Sequence, residues 1–220
     1  PKARLVASLR TRGLGWASDP TNSDPHYTRV RWRRHLAEAS SAERHRLLRA
    51  IAEAAQVPLV LYNVPGRTGS DLANETVAAL AEHPNIVGLK DATGDMGRIS
   101  WMHAAVPAPF AYLSGDDASW LGYAAHGGHG VISVTSNVAP EAMVAMHDAI
   151  VAGDLATARS WQDRLIGLHQ ALFLDSSPSP AKYALSRLGL CGEEVRLPLA
   201  PTAEAVRPAI DRAMAAAGLT

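Results

Sequence analysis

The sequence predicts an α/β protein built on a parallel sheet, and three observations predict it. Short apolar runs recur through the middle of the chain, each followed by a segment with apolar residues at helical spacing. Four such units follow one another with short connections, which implies parallel strands with helices outside them. From about residue 153 the pattern turns helical throughout, adding a helical region to the α/β unit.

The elements follow in order. "RLLRAIAEAA", starting at residue 47, has helical periodicity, and "VPLVLY" (57–62) is a short apolar strand. "SDLANETVAALAEH" is a helix with Ser70 or Asp71 as its N-cap. "NIVGLK" is a strand, followed by "TGDMGRISWMHAAV", a helix opened by Thr93 and Asp95. "FAYLS" (110–114) is the third strand, and "DDASWLGYAAHGG" a helix closed by glycine. "GVISV" (130–134) is the fourth strand, and "APEAMVAMHDAIVAG" a helix begun by Pro140. Three helical stretches remain, "DLATARSWQDRLIGLHQALFL", "SPAKYALSRLGL" and "PTAEAVRPAIDRAMAAAGL", punctuated by Pro178, Pro180, Pro198 and Pro201.

Composition narrows the function classes. With 47% hydrophobic and 19% charged residues, the chain describes an ordinary globular protein. A formal net charge of zero gives no general pull towards nucleic acid or an acidic membrane. The single Cys191 excludes an intramolecular disulfide framework, no CxxC or Cys/His cluster suggests zinc, and a cytoplasmic, reducing setting fits. No apolar run approaches the roughly 18 residues of a membrane span.

The zero balance hides an asymmetry. Residues 1–46 hold ten Lys and Arg against four Asp and Glu, whereas residues 47–220 hold eleven against seventeen. Residues 1–45 offer no alternating strand and little helical period, so they are expected to be an Arg-rich leader, disordered or foreign to the rest, with a transit-like segment as the other reading. The expected division is thus 1–45 leader, 46–152 α/β unit and 153–220 helical region.

Four short motifs sit where the strands end, the edge on which parallel α/β enzymes place their chemistry. They are "YNVPGRTG" (62–69), "GLKDATGD" (88–95), "SGDD" (114–117) and "GVISVTSN" (130–137). Lys90, one of only three lysines, ends an apolar strand. It is either a surface amine reaching water or an amine kept among apolar walls, where burial lowers its pKa and frees it to attack a carbonyl. Tyr62, ending the preceding strand, either packs or shuttles a proton to and from a carbinolamine. Arg67, on the loop that follows, is a turn residue or a bidentate clamp for a carboxylate.

These motifs resemble those of the dihydrodipicolinate synthase family of pyruvate-dependent class I aldolases, the group that includes N-acetylneuraminate lyase. The spacings carry the likeness: 28 residues from Tyr62 to Lys90, 25 from Lys90 to Gly115 and 17 from Gly115 to Ile132. "YNVPGRTG", with its arginine, is closer to the synthases than to the neuraminate lyases. "SPSPAKYALSRLGL" and "VRLPLAP" resemble the family's C-terminal helical region. The likeness covers roughly residues 46–220.

The resemblance implies the C-terminal half of a (β/α)₈ barrel, four strand–helix units, plus the helical region. It implies that Lys90 forms a Schiff base with pyruvate, whose enamine adds to aspartate semialdehyde or, alternatively, to a sugar acid. Tyr62 would be the proton relay and Arg67 the grip on the second substrate's carboxylate, with Gly115 and Ile132 lining the pocket through backbone groups. No metal or organic cofactor is implied beyond the covalent pyruvate, and a homo-oligomer is. The family's first four strands and its "TTGE"-like segment have no counterpart here, and "PHYTRV", with Tyr27, stands where the family has a "PYYNRP"-like stretch. The chain is therefore expected to be an N-terminally truncated or frame-disrupted member, either active or a non-catalytic remnant.

Other features have plainer readings. Asp91, Asp95, Asp116 and Asp117 stand at helix starts, where acids favour the helix dipole. "HGGHG" (126–130) offers two histidines without a third ligand, and its glycines suit a tight turn. "RVRWRR" (29–34) interleaves arginine and tryptophan without a recognisable nucleic-acid-binding fold around it. Trp101, Trp120 and Trp161 fall inside helices and are expected to pack.

Overall fold

A computed structural model describes residues 40–219. Tyr27, the basic run 29–34 and nearly all of the expected leader lie outside the described residues. Helix α1 (Ser41–Ala54) begins before the boundary expected at 46, because Ser40 and Glu43 close a capping box. Ser40 Oγ accepts the Glu43 N–H at 3.3 Å, and Glu43 Oε2 accepts the Ser40 N–H at 2.7 Å.

Four strands follow in sequence order, all parallel: β1 (Leu59–Asn63), β2 (Ile86–Asp91), β3 (Ala111–Ser114) and β4 (Gly130–Val131). Between them run the short α2 (Pro65–Thr68), α3 (Asn74–Ala81), α4 (Met96–Ala105) and α5 (Trp120–Ala125). A one-turn 3₁₀ helix (Thr135–Asn137) leads into α6 (Pro140–Val151), then α7 (Leu155–Ala171), α8 (Ser179–Arg187) and α9 (Arg207–Ala217). This consecutive parallel order with outer helices is part of a (β/α)₈ barrel, as expected.

Alternation along the strands divides the sheet. Leu89 and Tyr112 face the helices and are buried against Leu80, Ile99, Met102 and Trp120. The core continues without a break into the helical region through Met146, Leu165, Leu168, Ile210 and Met214. Burying an aromatic such as Trp120 contributes about 3 kcal/mol or more to such a core.

Three local expectations change. Strand β4 stops at Val131 rather than continuing to residue 134, although Ile132 N–H still reaches Ser114 O at 2.9 Å. The buried Asp117 carboxylate accepts the Val134 and Thr135 N–H groups at 2.9 and 3.0 Å, which turns the chain out of the ladder. Neither Ser70 nor Asp71 caps α3, which starts at Asn74 without a side-chain cap. Trp120 is buried and Trp161 packs partly against the core, but Trp101 lies on the outer side of α4, 38% exposed.

Of the four acids expected at helix starts, Asp95 caps α4 through Gly97 and Arg98 N–H and Asp116 accepts Ser119 N–H, whereas Asp91 ends β2 and Asp117 reaches the backbone after β4. In "HGGHG", His126 Nδ1 meets Ser100 Oγ at 2.7 Å and His129 Nδ1 accepts Tyr112 N–H at 3.0 Å. Gly127 between them has φ +96° and lies against the His103 ring, where a Cβ would come within 2.5 Å. Among the described residues no group of three or more His, Cys, Asp or Glu is placed to hold a metal ion. No described helix is long and apolar enough to cross a membrane.

His169 ties the helical region to the 3₁₀ helix that follows β4. It is 2% exposed, and its Nδ1 pairs with Thr135 Oγ1 at 2.7 Å. Burial lowers its pKa below the ordinary 6.5, while Asp117 and Asp116 pull the other way. Below pH 6.5 the unfolded chain therefore takes up a proton that the folded chain resists. The contribution is fully present above that pH and is lost as pH falls towards the depressed folded value, by at most about 1.4 kcal/mol per pH unit. Urea unfolding between pH 8 and 5 is expected to show this slope, and His169→Gln to flatten it. An equal slope in the variant would assign the pH dependence to other groups.

Candidate active site

The parallel register brings the predicted residues together. Tyr62 pairs with Lys90, and the next pair along, Asn63 with Asp91, points to the opposite face of the sheet. Tyr62 and Lys90 thus stand side by side on the inner face, with Lys90 Nζ 4.2 Å from the Tyr62 ring centroid. Lys90 is half-buried, and Tyr62 is 52% exposed on the open side of the sheet. The Lys90 amine accordingly has the tyrosine ring on one flank rather than the closed apolar wall expected from the strand sequence.

Gly115 continues β3 beyond Ser114 by donating its N–H to Asp91 O at 2.7 Å. A Cβ there would lie 2.9 Å from Ala92 Cβ and 3.0 Å from Lys90 Cε. Only glycine lets the lysine stem pass at that point. Arg67 rides on α2, closed by the Gly69 N–H bond to Pro65 O at 2.9 Å. Ile132, the first residue past β4, completes the rim.

Tyr62, Arg67, Lys90, Gly115 and Ile132 all line one cleft of about 440 Å³ at the carboxyl ends of the strands. Val64, Ala92, Asp116, Val134, Phe173 and Ser177 also line it, and sequence reasoning singled out none of them for the site. Asp116 was read only as a helix-start acid, and Phe173 and Ser177 come from the turn after α7, more than 80 residues beyond Lys90. No local pattern marks that turn as part of a site.

Behind the cleft lies a polar network, also unread in the sequence. Asp91 Oδ2 is 3.2 Å from Arg98 Nε, an ion pair off the line of a good hydrogen bond. Asp91 also accepts from Asn63 Nδ2 at 3.2 Å and from the Thr93 hydroxyl at 3.0 Å. Burial pushes the Asp91 carboxyl above its usual range, against the opposing pull of Arg98 and the hydrogen bonds of Thr93 and Asn63. The only signal for it in the sequence is that Asn63 and Asp91 each immediately follow a candidate catalytic residue.

A sequence model described as the Dihydrodipicolinate synthetase family matches residues 35–217. The chain belongs to this family. It is 53% identical over 171 residues to the 4-hydroxy-tetrahydrodipicolinate synthase of Phenylobacterium zucineum, covering 78% of this chain and 58% of that protein. With the synthase of Hyphomonas neptunium it shares 60% identity over 173 residues, 78% of this chain and 59% of the relative. The chain therefore spans about three fifths of the length of these synthases.

Solved members of the family share the fold. A chloride-inhibited dihydrodipicolinate synthase from Acinetobacter baumannii complexed with pyruvate superposes with a TM-score of 0.79 at 42% identity, covering 84% of this chain and 63% of that one. The enzyme from Cyanidioschyzon merolae with lysine bound gives 0.78 at 38% identity, over 83% and 62%. Membership in the dihydrodipicolinate synthetase family thus rests on sequence and fold together.

Proposed function

We propose that this chain carries the Schiff-base half of a pyruvate-dependent aldolase that condenses pyruvate with aspartate semialdehyde. The observation that carries the reading is the alignment of Lys90 with Tyr62 in one cleft with Arg67. The Lys90 amine adds to the C2 carbonyl of pyruvate, and the carbinolamine loses water to give an iminium. Loss of a C3 proton yields an enamine, whose C3 attacks the aldehyde carbon while the aldehyde oxygen takes up a proton. Water or the semialdehyde's own amine then displaces the Lys90 nitrogen and regenerates the enzyme.

Tyr62 serves these steps as the proton relay, since its ring already lies against the lysine amine. Arg67 holds the semialdehyde carboxylate from the same cleft. Gly115 and Ile132 shape the pocket through their backbone. The names of the relatives support lysine biosynthesis as the setting. Their chemistry supports small-molecule substrates, without a metal and with pyruvate held covalently on Lys90. Association into a homo-oligomer and a cytoplasmic location belong to the same reading.

A second reading, a non-catalytic member of the family, is favoured by the open inner face, where Tyr62 and Ile132 (47%) remain exposed. Product formation from pyruvate with aspartate semialdehyde, beside a sugar-acid aldehyde, tests both. Turnover with the semialdehyde alone supports the proposal. Turnover with the sugar-acid aldehyde reassigns the acceptor, and no turnover with either supports the non-catalytic reading.

Gly115→Ala probes the close approach at the lysine stem. The added Cβ displaces Lys90 Cε and is expected to slow borohydride trapping of pyruvate by about 10²-fold, the cost of misplacing a reacting group by an ångström. Trapping within about twofold of wild type would show that the stem moves aside without loss.

A further inference from the structure

Asp71, one of the two residues expected from the sequence to cap α3, makes a different set of contacts. Its Oδ1 accepts from Asn63 Nδ2 at 2.7 Å, and its Oδ2 lies 3.5 Å from Arg98 Nη1. The next residue is gripped by the same two side chains: Leu72 N–H donates to Asn63 Oδ1 at 3.1 Å, and Leu72 O accepts from Arg98 Nη2. Arg98 is 7% exposed and also pairs with Asp91, the residue after Lys90.

The topology gives these contacts a consequence. The segment from Val64 to Asp71 leaves β1 after its last residue, Asn63, carries Arg67 near its middle, and returns to the Asn63 side chain. Both of its ends are therefore tied to the strand ends that present Tyr62 and Lys90. Arg67 is exposed, and within the segment the turn is held by its own backbone bonds and by the Thr68 hydroxyl, which reaches Val64 O at 3.2 Å and Ser70 O at 2.8 Å and accepts the Ser70 N–H at 3.3 Å. A guanidinium on an untethered segment of this length would have to be ordered each time it gripped a carboxylate.

We propose that Asp71, acting through Asn63 and Arg98, is a positioning residue that fixes the Arg67 segment against the strand ends and so sets the grip on the acceptor's carboxylate. The proposal rests on the aldolase reading above. Asp71 is the member to alter, because Asp71→Asn leaves the buried Arg98 its Asp91 counter-charge and spares the fold an unpaired internal cation.

The test reads carboxylate binding without requiring turnover. Phenylglyoxal modification of Arg67 is followed by peptide mass in the full chain, with the exposed Arg196 as internal reference. Succinate semialdehyde, a carboxylated aldehyde lacking the amine, is added as protector. In wild type it is expected to slow modification of Arg67 and not of Arg196. In Asp71→Asn, half-protection should need about tenfold more, and Asp71→Glu, which keeps the charge, should restore the wild-type concentration. Equal half-protection in wild type and Asp71→Asn would overturn the proposal, as would an absence of protection in wild type or a failure of Asp71→Glu to rescue. Pyruvate trapping on Lys90, read in the same samples, reports separately on the aldolase reading.

Discussion

Lys90→Met is expected to abolish the reducible pyruvate adduct and to lower kcat/KM for condensation by about 10⁴-fold or more, the scale on which deletion of a covalent nucleophile acts. Methionine keeps the length and apolar stem of lysine, so the packing against Gly115 and Tyr62 survives and the loss isolates the amine. Lys182, the only other lysine among the described residues, bonds Glu194 O away from the cleft and offers no substitute amine. Borohydride trapping followed by intact mass, beside a thermal melt, separates lost chemistry from lost fold. An adduct surviving in Lys90→Met would move the nucleophile elsewhere.

Tyr62→Phe removes one hydroxyl and leaves the ring beside the Lys90 amine. If that hydroxyl moves protons during carbinolamine formation and dehydration, kcat should fall by about 10²- to 10⁴-fold while KM for pyruvate changes little. The split matters, because a tyrosine that only packed would change both parameters weakly or change stability instead. Steady-state kinetics at several pyruvate concentrations make the measurement. A fall in kcat of less than about tenfold would mean that water, which reaches the half-exposed ring, carries the protons.

The outline of this protein was legible in its sequence because strand and helix periods alternate cleanly from residue 47 onwards. Strands 85–90 and 110–114 fall within a residue of their observed bounds, since apolar runs closed by Gly, Asp or Ser leave little choice. The fourth strand was overread because Asp117, 17 residues before Val134, takes two amides that would have extended the ladder. Trp101 was misplaced because the helical stretch alone does not say which side of α4 meets the core.

The five candidate site residues were readable as motifs at strand ends, and the structure lines one cleft with them. What sequence reasoning lacked was the layer beneath. Asn63, Asp71, Asp91 and Arg98 look individually like a turn residue, a cap, a helix-start acid and a surface cation. Their contacts join β1, β2, α4 and the connection before α3, and only the register Tyr62 to Lys90 and Asn63 to Asp91 makes them neighbours. Side chains on opposite faces of one sheet are thus consecutive in sequence and different in task.

If Lys90 is a working nucleophile, it forms an imine with pyruvate that borohydride reduces to a stable adduct. The purified chain is incubated with pyruvate and borohydride, its intact mass is recorded, and the adduct is located by peptide digestion. A single reduced pyruvate adduct is expected on Lys90, dependent on pyruvate and absent from Lys182. A folded chain that gains no mass, or gains it on another residue, would contradict a nucleophilic role for Lys90.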